Sequence, residues 1–162
     1  MLAAEERLEF PTSSGLEIVG TIYRPMDREP PWPGVLLLHM IYGQRSDWDE
    51  FARTLAQSGV VALAIDLRGH GETGGDMDWE SARQDLSQVW ESFVSRPEVS
   101  PDLTAVIGAS MGANMAVLLG TDRPEVRALG LLSPGLNYYG VQIAEPLAAY
   151  GDRPVLIVAS QE

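Results

Sequence analysis

Cysteine and lysine are both missing from the 162 residues of this chain. Without cysteine there can be no disulfide, no thiol nucleophile and no thiolate metal ligand. All 11 basic residues are arginine, which excludes Schiff-base chemistry on lysine and the phosphate-binding lysine of a P-loop. Long apolar runs are absent as well, because residues 35–38 and 60–65 fall far short of the roughly 20 residues that a membrane span requires.

Positive charge is scarce relative to negative charge. The formal net charge is −12 at pH 7 and the acids are spread along the chain, so we expect no nucleic-acid partner and no membrane binding. Glu5 and Glu6 stand where an export signal would carry positive charge, and we therefore expect a cytoplasmic protein. Neither His39 nor His70 stands at ligand spacing with carboxylates, so we expect no metal and no other cofactor.

The pattern of apolar residues predicts one α/β domain. Hydrophobic residues make up 45% of the chain, which is enough for one sizeable core. Residues 8–12 and 16–23 alternate partly around a turn at 13–15, which predicts an antiparallel hairpin. From Gly34 onward, short apolar runs alternate with longer polar–apolar segments, a pattern typical of buried parallel strands joined by helices.

The bounds of the individual elements follow from the same pattern. Strands are predicted at residues 35–38, 60–65, 103–107, 128–132 and 155–159, and helices at residues 48–57, 79–94 and 112–121. We expect Ser46 or Asp47 to cap the first helix. Residues 25–33 are predicted to be a proline-rich connector, and residues 133–153 are the longest loop-like stretch.

The segment Gly108-Ala109-Ser110-Met111-Gly112 lies directly between a predicted strand and a predicted helix. The pattern G-x-S-x-G in this context is typical of a tight turn that presents a nucleophilic serine, and its glycines let strand and helix approach each other. The turn would place Ser110 at the amino end of a helix, where free N–H groups stabilise a developing oxyanion. Ser110 is therefore the candidate nucleophile, and the Met111 N–H is the candidate first oxyanion donor.

Two further motifs follow the first two predicted parallel strands. Residues 36–48 read LLLHMIYGQRSDW, and residues 66–75 read DLRGHGETGG. Together with the serine turn, they make the chain resemble the α/β-hydrolase superfamily, and within it the dienelactone hydrolase and small esterase branch. In that family a His-Gly-x turn supplies an oxyanion donor, and an Asp-x-Arg-Gly-His-Gly loop follows the next strand.

The resemblance implies a three-layer α/β-hydrolase fold and a serine hydrolase mechanism. It makes the Ile41 N–H the second oxyanion donor, with Met40 as the neighbouring candidate because Met40 stands where the family has glycine. His39 and His70 do not match the family's catalytic base, which comes late in the chain, so we expect both to hold their loops.

The resemblance also implies a catalytic acid and a catalytic histidine at positions that follow the last predicted strand. The family order is serine, acid, histidine, and the matching acid position would come just after Glu162. Glu162 itself is an alternative acid, and the segment after strand 128–132 offers no aspartate. We therefore expect residues 1–162 to be one C-terminally truncated domain, with the acid and histidine beyond residue 162 or from another chain. A second chain or the missing segment would then cover the apolar edge strand at 155–159.

Two functions from different classes fit these residues. The first is a serine hydrolase that cleaves small-molecule carboxylic esters through an acyl-enzyme on Ser110, with the 162-residue chain inactive by itself. The second is a catalytically inactive module of the same fold that binds a ligand in its pocket. Peptidase, lactonase and acyl-transfer activities are also compatible, because the serine turn does not determine the substrate. Residues 134–152, with Tyr138, Tyr139 and Tyr150, are either a short cap over the pocket or an ordinary surface connection.

Overall fold

A seven-stranded β-sheet organises residues 3–160, the part of the chain that the computed structural model describes. The strands are β1 (Ala4–Pro11), β2 (Glu17–Arg24), β3 (Trp32–Leu38), β4 (Val61–Ile65), β5 (Val99–Ala109), β6 (Ala128–Leu132), β7 (Asn137–Tyr138), β8 (Val141–Gln142) and β9 (Val155–Val158). The helices are α1 (Asp49–Gln57), α2 (Trp79–Val94), α3 (Met111–Asp122) and α4 (Ala144–Tyr150). The main sheet has the order β1-β2-β4-β3-β5-β6-β9, and β7 and β8 form a separate short ladder.

The main sheet is antiparallel at one end and parallel elsewhere. β1 pairs antiparallel with β2, and β2 pairs antiparallel with β4. The remaining pairs, β4 with β3, β3 with β5, β5 with β6 and β6 with β9, are all parallel. The α/β class, the mainly parallel sheet and the N-terminal antiparallel hairpin are therefore confirmed.

The alternation of side chains along the strands divides the core into two layers. Leu36 and Leu38 of β3 belong to the larger layer, which also holds the buried side chains of α2 and α3. Val35 and Leu37 belong to the smaller layer, which holds the buried side chains of α1. Because both faces of β3 are covered, its sequence is a continuous apolar run rather than an alternating one.

The expected helix cap at Ser46 or Asp47 is wrong. A 3₁₀ turn at Arg45–Trp48 precedes α1, so the helix begins only at Asp49, and no side chain caps it. Asp47 instead accepts a hydrogen bond from the Gln44 N–H (3.0 Å) and stabilises the 3₁₀ turn. The polar residues before α1 therefore cap the turn that leads into the helix.

Two stretches predicted to lack regular structure contain short elements. β3 begins at Trp32, within the proline-rich connector, because its N–H pairs with the Glu98 carbonyl (2.8 Å) just before β5. Residues 133–153 include β7, β8 and α4. These elements are too short for apolar periodicity to indicate them, and Pro146 lies inside α4.

β9 lies at the end of the main sheet and is exposed, unlike the central strands. Its four apolar side chains are between 36% and 66% exposed. Leu156 and Val158 share a face of the sheet with Leu132, since their register follows that of β6. On this face a cavity of about 490 Å³ lies between α1 and the side chains of Ile107 and Leu132.

The carboxyl ends of β3, β5 and β6 lie side by side at one edge of the sheet, because these strands are parallel neighbours. The loop after β3, the turn at Ser110 after β5 and the segment after β6 therefore emerge next to one another. Ligands of open α/β sheets bind at this edge. The loop with Met40 and Ile41 and the turn with Ser110 and Met111 both lie at this edge.

Candidate active site

Ser110 lies at the turn between β5 and α3, in a backbone conformation that residues with a Cβ rarely adopt. Its φ is 53° and its ψ is −117°, a conformation that costs on the order of 1–3 kcal/mol and needs enforcement by its surroundings. The residue is partly exposed, and its side chain makes no capping hydrogen bond to α3. The turn therefore leaves Ser110 partly exposed at the sheet edge.

Two glycines make the turn possible. A Cβ on Gly108 would lie 2.1 Å from the Gly112 carbonyl oxygen and 2.6 Å from the Ala113 nitrogen, so a larger residue would push β5 and α3 apart. A Cβ on Gly112 would lie 2.3 Å from the Leu38 carbonyl oxygen, so α3 begins in direct contact with the end of β3. Packing on both sides of Ser110 thus requires the G-x-S-x-G spacing.

The backbone around Ser110 fixes the turn and leaves an amide near it. The Ser110 N–H donates to the Leu132 carbonyl (2.8 Å), which connects the turn to β6. The Ser110 carbonyl accepts from the Ala113 N–H (2.9 Å) and the Asn114 N–H (3.2 Å). The Met111 N–H lies in the first turn of α3, where amides have no carbonyl partner within the helix and the helix dipole is positive. An amide in this position can stabilise an anion.

The loop after β3 carries the other two candidate amides. Met40 is 51% exposed and Ile41 is partly buried, and neither N–H takes part in the turn and loop hydrogen bonds of residues 3–160. The Gly43 N–H donates to the Met40 carbonyl (2.9 Å), which closes a tight turn. Because Gly112 touches the end of β3, this loop begins beside the first turn of α3. Met40, Ile41 and Met111 therefore lie on adjacent segments of backbone.

His39 is buried, and the backbone occupies both of its ring nitrogens. Nε2 accepts from the Leu67 N–H (3.0 Å), so Nδ1 carries the proton and donates to the Met40 carbonyl (2.7 Å). Burial lowers the pKa of His39 below its ordinary value of 6.5, which favours the neutral ring. The imidazole joins the loop after β3 to the loop after β4, and it has no free nitrogen for the Ser110 proton.

His70 packs against His39, with ring centroids 4.9 Å apart. Its Nδ1 donates to the Arg68 carbonyl (3.0 Å), and its Nε2 is buried without a partner in the described part of the chain. Across residues 3–160, no hydrogen bond links either imidazole to Ser110. Both rings contribute to the packing of the loops that follow β3 and β4.

Asp66, the first residue of the second motif, is the centre of a buried ion pair. It is 0% exposed and pairs with the Arg45 guanidinium. It also accepts hydrogen bonds from the backbone N–H groups of Arg45 (2.7 Å) and Glu72 (3.0 Å). Arg45 follows the loop that carries Met40 and Ile41, so the carboxylate fixes the far end of that loop.

Within residues 3–160, no carboxylate or imidazole forms a hydrogen bond with Ser110, so the acid and base that the resemblance implies are not found there. Glu162, the alternative acid, lies outside the described residues. In the described part of the chain, no group of three or more histidine, cysteine, aspartate or glutamate side chains could hold a metal ion. None of the described helices is both long enough and apolar enough to span a bilayer.

A family model described as serine aminopeptidase, S33, matches residues 30–152, well over half of the chain. The chain belongs to this S33 family of α/β-hydrolases. Esterase FrsA of Yersinia pestis (strain Pestoides F) is 33% identical over 139 residues, which cover 82% of this chain and 32% of FrsA. The mouse sn-1-specific diacylglycerol lipase ABHD11 is 28% identical over 107 residues, which cover 64% of this chain and 33% of ABHD11. The S33-family chain therefore spans about a third of the length of these relatives.

Solved structures agree with the family assignment at the level of the fold. The dienelactone hydrolase-like promiscuous phosphotriesterase P91, from metagenomic libraries, superposes with a TM-score of 0.75 at 19% sequence identity. The match covers 99% of the S33-family chain and 83% of P91. The resemblance to the α/β-hydrolase superfamily is thereby confirmed.

Asn114 is a buried polar residue, four positions after Ser110, that the motifs did not indicate. It lies one turn into α3 and is 0% exposed, among apolar neighbours. Its Nδ2 donates to the carbonyls of Gly135 (2.8 Å) and Val141 (3.0 Å), and its Oδ1 accepts from the Gly135 N–H (3.1 Å). The sequence does contain an indication of these contacts, because Asn114 is a single amide side chain within an apolar helix and a buried amide needs hydrogen-bond partners.

Proposed function

We propose that the protein containing these residues hydrolyses carboxylic esters of small molecules, with Ser110 as the nucleophile. The observation that carries this proposal is the strained strand-to-helix turn at Ser110, which the close packing of Gly108 and Gly112 enforces. A serine that only began a helix would adopt extended backbone and cap the first turn, whereas Ser110 has a φ of 53° and makes no capping bond. Strain of this kind is concentrated at functional sites. The esterase and lipase relatives favour an ester substrate.

In this proposal, the Ser110 hydroxyl attacks the ester carbonyl carbon, the alcohol leaves, and water then releases the acid from the acyl-enzyme. The Met111 N–H and the N–H of Ile41 or Met40 stabilise the oxyanion. A serine hydroxyl needs a base to accept its proton. His39 lacks a free nitrogen, and the buried His70 Nε2 makes no hydrogen bond to Ser110 within residues 3–160. We therefore infer that the histidine and the acid come from outside residues 1–162.

Residues 134–152 form a short cap that walls the pocket in this proposal. They follow β6, whose last residue accepts the hydrogen bond from the Ser110 N–H. The buried amide of Asn114 connects them to α3, which begins directly after Ser110. A wall in this position would contact the part of the ester that extends toward β6.

The decisive experiment compares Ser110→Ala with Ser133→Ala in the full-length protein. Ser133 is the matched control, because it is exposed, follows the neighbouring strand β6 and also has a positive φ (50°). We expect Ser110→Ala to abolish labelling by a fluorophosphonate and to lower kcat for p-nitrophenyl acetate by about a thousandfold or more. Ser133→Ala should keep both. Undiminished hydrolysis by Ser110→Ala would end the proposal.

The inactive binding module gives a different result in the same experiment. The full-length wild-type protein would then resist labelling and leave p-nitrophenyl acetate intact, even though it is folded by circular dichroism. That outcome would contradict ester hydrolysis and favour a role in ligand binding.

We also propose that polypeptide beyond residue 162 of the same protein covers β9. The exposed apolar side chains of β9 favour this, and so does the greater length of the curated relatives. In the full-length protein, Leu156→Lys should then lower Tm by several degrees, because a covered leucine tolerates no charge. Leu103→Lys is the control, at a leucine that is 58% exposed on β5. Equal, small effects of both variants would contradict the proposal, and a concentration-dependent dimer broken by Leu156→Lys would identify a second copy instead.

A further inference from the structure

Methionine thioethers are the main sites of reversible oxidation in this chain, because cysteine is absent. Within residues 3–160, Met26, Met40 and Met77 are 55%, 51% and 43% exposed, whereas Met111 and Met115 are buried. Oxidants in solution reach exposed side chains first. Of the exposed methionines, Met40 is the one that lies on a loop of the candidate active site.

Met40 has a well-defined place in the loop after β3. Its carbonyl accepts hydrogen bonds from the Gly43 N–H (2.9 Å) and from His39 Nδ1 (2.7 Å). Its Cγ packs on the same turn, 3.3 Å from where a Cβ on Gly43 would lie. Met40 stands where the family that the chain resembles has glycine. The thioether is therefore a feature of this chain, on the segment that carries the candidate oxyanion donors Met40 and Ile41.

Met40 also borders a small cavity that reaches the turn at Ser110. The cavity has a volume of about 120 Å³ and a mainly apolar wall, which Met40 forms together with His39, Asp47, Trp48 and Ala109. Ala109 directly precedes Ser110 in the chain. Met40 and the residue next to the proposed nucleophile thus border the same space.

Oxidation of Met40 would introduce a polar oxygen at this position. A hydroperoxide ROOH transfers one oxygen atom to the sulfur, its O–O bond breaks, and the alcohol ROH leaves. The sulfur loses the two electrons that the peroxide gains. The sulfoxide dipole has its negative end on oxygen, which is costly to place against an apolar wall. It would also repel the oxyanion that the neighbouring amides are proposed to stabilise.

We propose that Met40 is an oxidation site that regulates the candidate active site: a hydroperoxide converts it to the sulfoxide and thereby lowers ester hydrolysis. This inference rests on the proposed ester hydrolysis and extends it to the regulation of the same site. The change is reversible, because methionine sulfoxide reductases convert the sulfoxide back to methionine.

The test treats the full-length enzyme with hydrogen peroxide and follows two quantities in the same samples. These are kcat/KM for p-nitrophenyl acetate and the oxygen content of each methionine, read by peptide mass spectrometry. We expect kcat/KM to fall about tenfold or more, with the time course of Met40 oxidation. The two stereospecific methionine sulfoxide reductases should restore the activity.

Met40→Leu and Met26→Leu form a matched pair of variants. Met26 is about as exposed as Met40, but it lies in the connector that precedes β3, at the opposite edge of the sheet from Ser110. Each variant is compared with its own untreated sample, so that a change in its basal activity does not affect the result. Met40→Leu should keep most of its activity under a treatment that inactivates the wild type, whereas Met26→Leu should be inactivated as the wild type is.

Three results would overturn the inference. The first is equal inactivation of Met40→Leu and wild type by peroxide. The second, which decides the question even if Met40→Leu does not fold, is a wild-type activity that stays constant after Met40 is oxidised. The third is a Met40 that remains reduced in the full-length protein while Met26 is oxidised. A wild-type enzyme that cleaves no ester before treatment would instead contradict the proposed function, so the two failures are distinguishable.

Discussion

β3 and β9 have nearly the same kind of sequence but opposite environments. Residues 35–38 read VLLL and are at most 8% exposed, whereas residues 155–158 read VLIV and are at least 36% exposed. β3 lies between β4 and β5, with helices over both faces. Within residues 3–160, β9 pairs with β6 alone. An apolar run thus predicts a strand, but the neighbouring elements decide its burial.

The candidate site lies between the covered half of the sheet, which contains β4 and β3, and the open half, which contains β6 and β9. Gly112 packs on the backbone at the end of β3 in the covered half. The Ser110 N–H donates to Leu132 at the end of β6, beside β9. Contacts with both halves therefore hold the strained turn in place, while β9 in the open half stays exposed.

Removing a charged side chain should produce the largest difference in unfolding free energy between the two halves of the sheet. Asp66→Ala should cost about 3–5 kcal/mol of unfolding free energy, because it leaves the backbone N–H groups of Arg45 and Glu72 without their acceptor and the largely buried Arg45 guanidinium with only the exposed Glu72 as a partner within residues 3–160. Asp102→Ala removes an exposed pair with Arg127 in the open half, and its cost should stay within about 0.5 kcal/mol. Urea unfolding of both variants measures this, and similar costs would remove the distinction.

Apolar truncation should give the next largest difference. Leu36→Ala on β3 should cost about 2–5 kcal/mol, because it leaves a cavity in the larger core layer. Leu156→Ala on β9 is the matched change at a side chain that is 66% exposed. In the 162-residue chain its cost should remain within about 0.5 kcal/mol. A cost at Leu156 equal to that at Leu36 would show that β9 is covered even in this chain.

Local sequence patterns were sufficient to predict most of the fold. Period-2 alternation and short apolar runs predicted the hairpin and all five parallel strands, because those patterns reflect which faces are buried. The helix cap at Ser46 or Asp47 was wrong, since a 3₁₀ turn consumes the polar residues before α1. The local pattern of residues 133–153 does not indicate β7, β8 and α4, because these short elements depend on tertiary contacts such as those of Asn114.

The candidate site was predictable to the extent that it is local in sequence. The G-x-S-x-G spacing predicted the turn at Ser110, because the close approaches at Gly108 and Gly112 require glycine. The ion pair between Asp66 and Arg45 joins residues 21 positions apart, and no local period relates them. Contacts of that kind appear only when the strands are assembled.

Acidification should weaken the loops around His39 before it affects the carboxylates. Burial lowers the pKa of folded His39 below 6.5, so the unfolded chain binds the proton more readily. This contribution to stability is complete above about pH 6.5 and declines as the pH falls toward the folded pKa, by at most about 1.4 kcal/mol per pH unit. His39→Gln should flatten the dependence of the unfolding free energy on pH between pH 7 and 5.5. Identical slopes for wild type and His39→Gln would contradict the prediction.

The smallest expected effect is a difference in Tm between variants at the amino ends of α2 and α3. Asp78 accepts the Glu80 N–H (3.2 Å) and caps α2, so Asp78→Ala should lower Tm by about 2–4 °C. Ser110 precedes α3 without capping it, so Ser110→Ala should leave Tm within about 1 °C of wild type. Thermal unfolding followed by circular dichroism measures both values. A Tm loss in Ser110→Ala as large as in Asp78→Ala would mean that the hydroxyl stabilises the helix, and the loss of activity in that variant could then be assigned to folding rather than to chemistry.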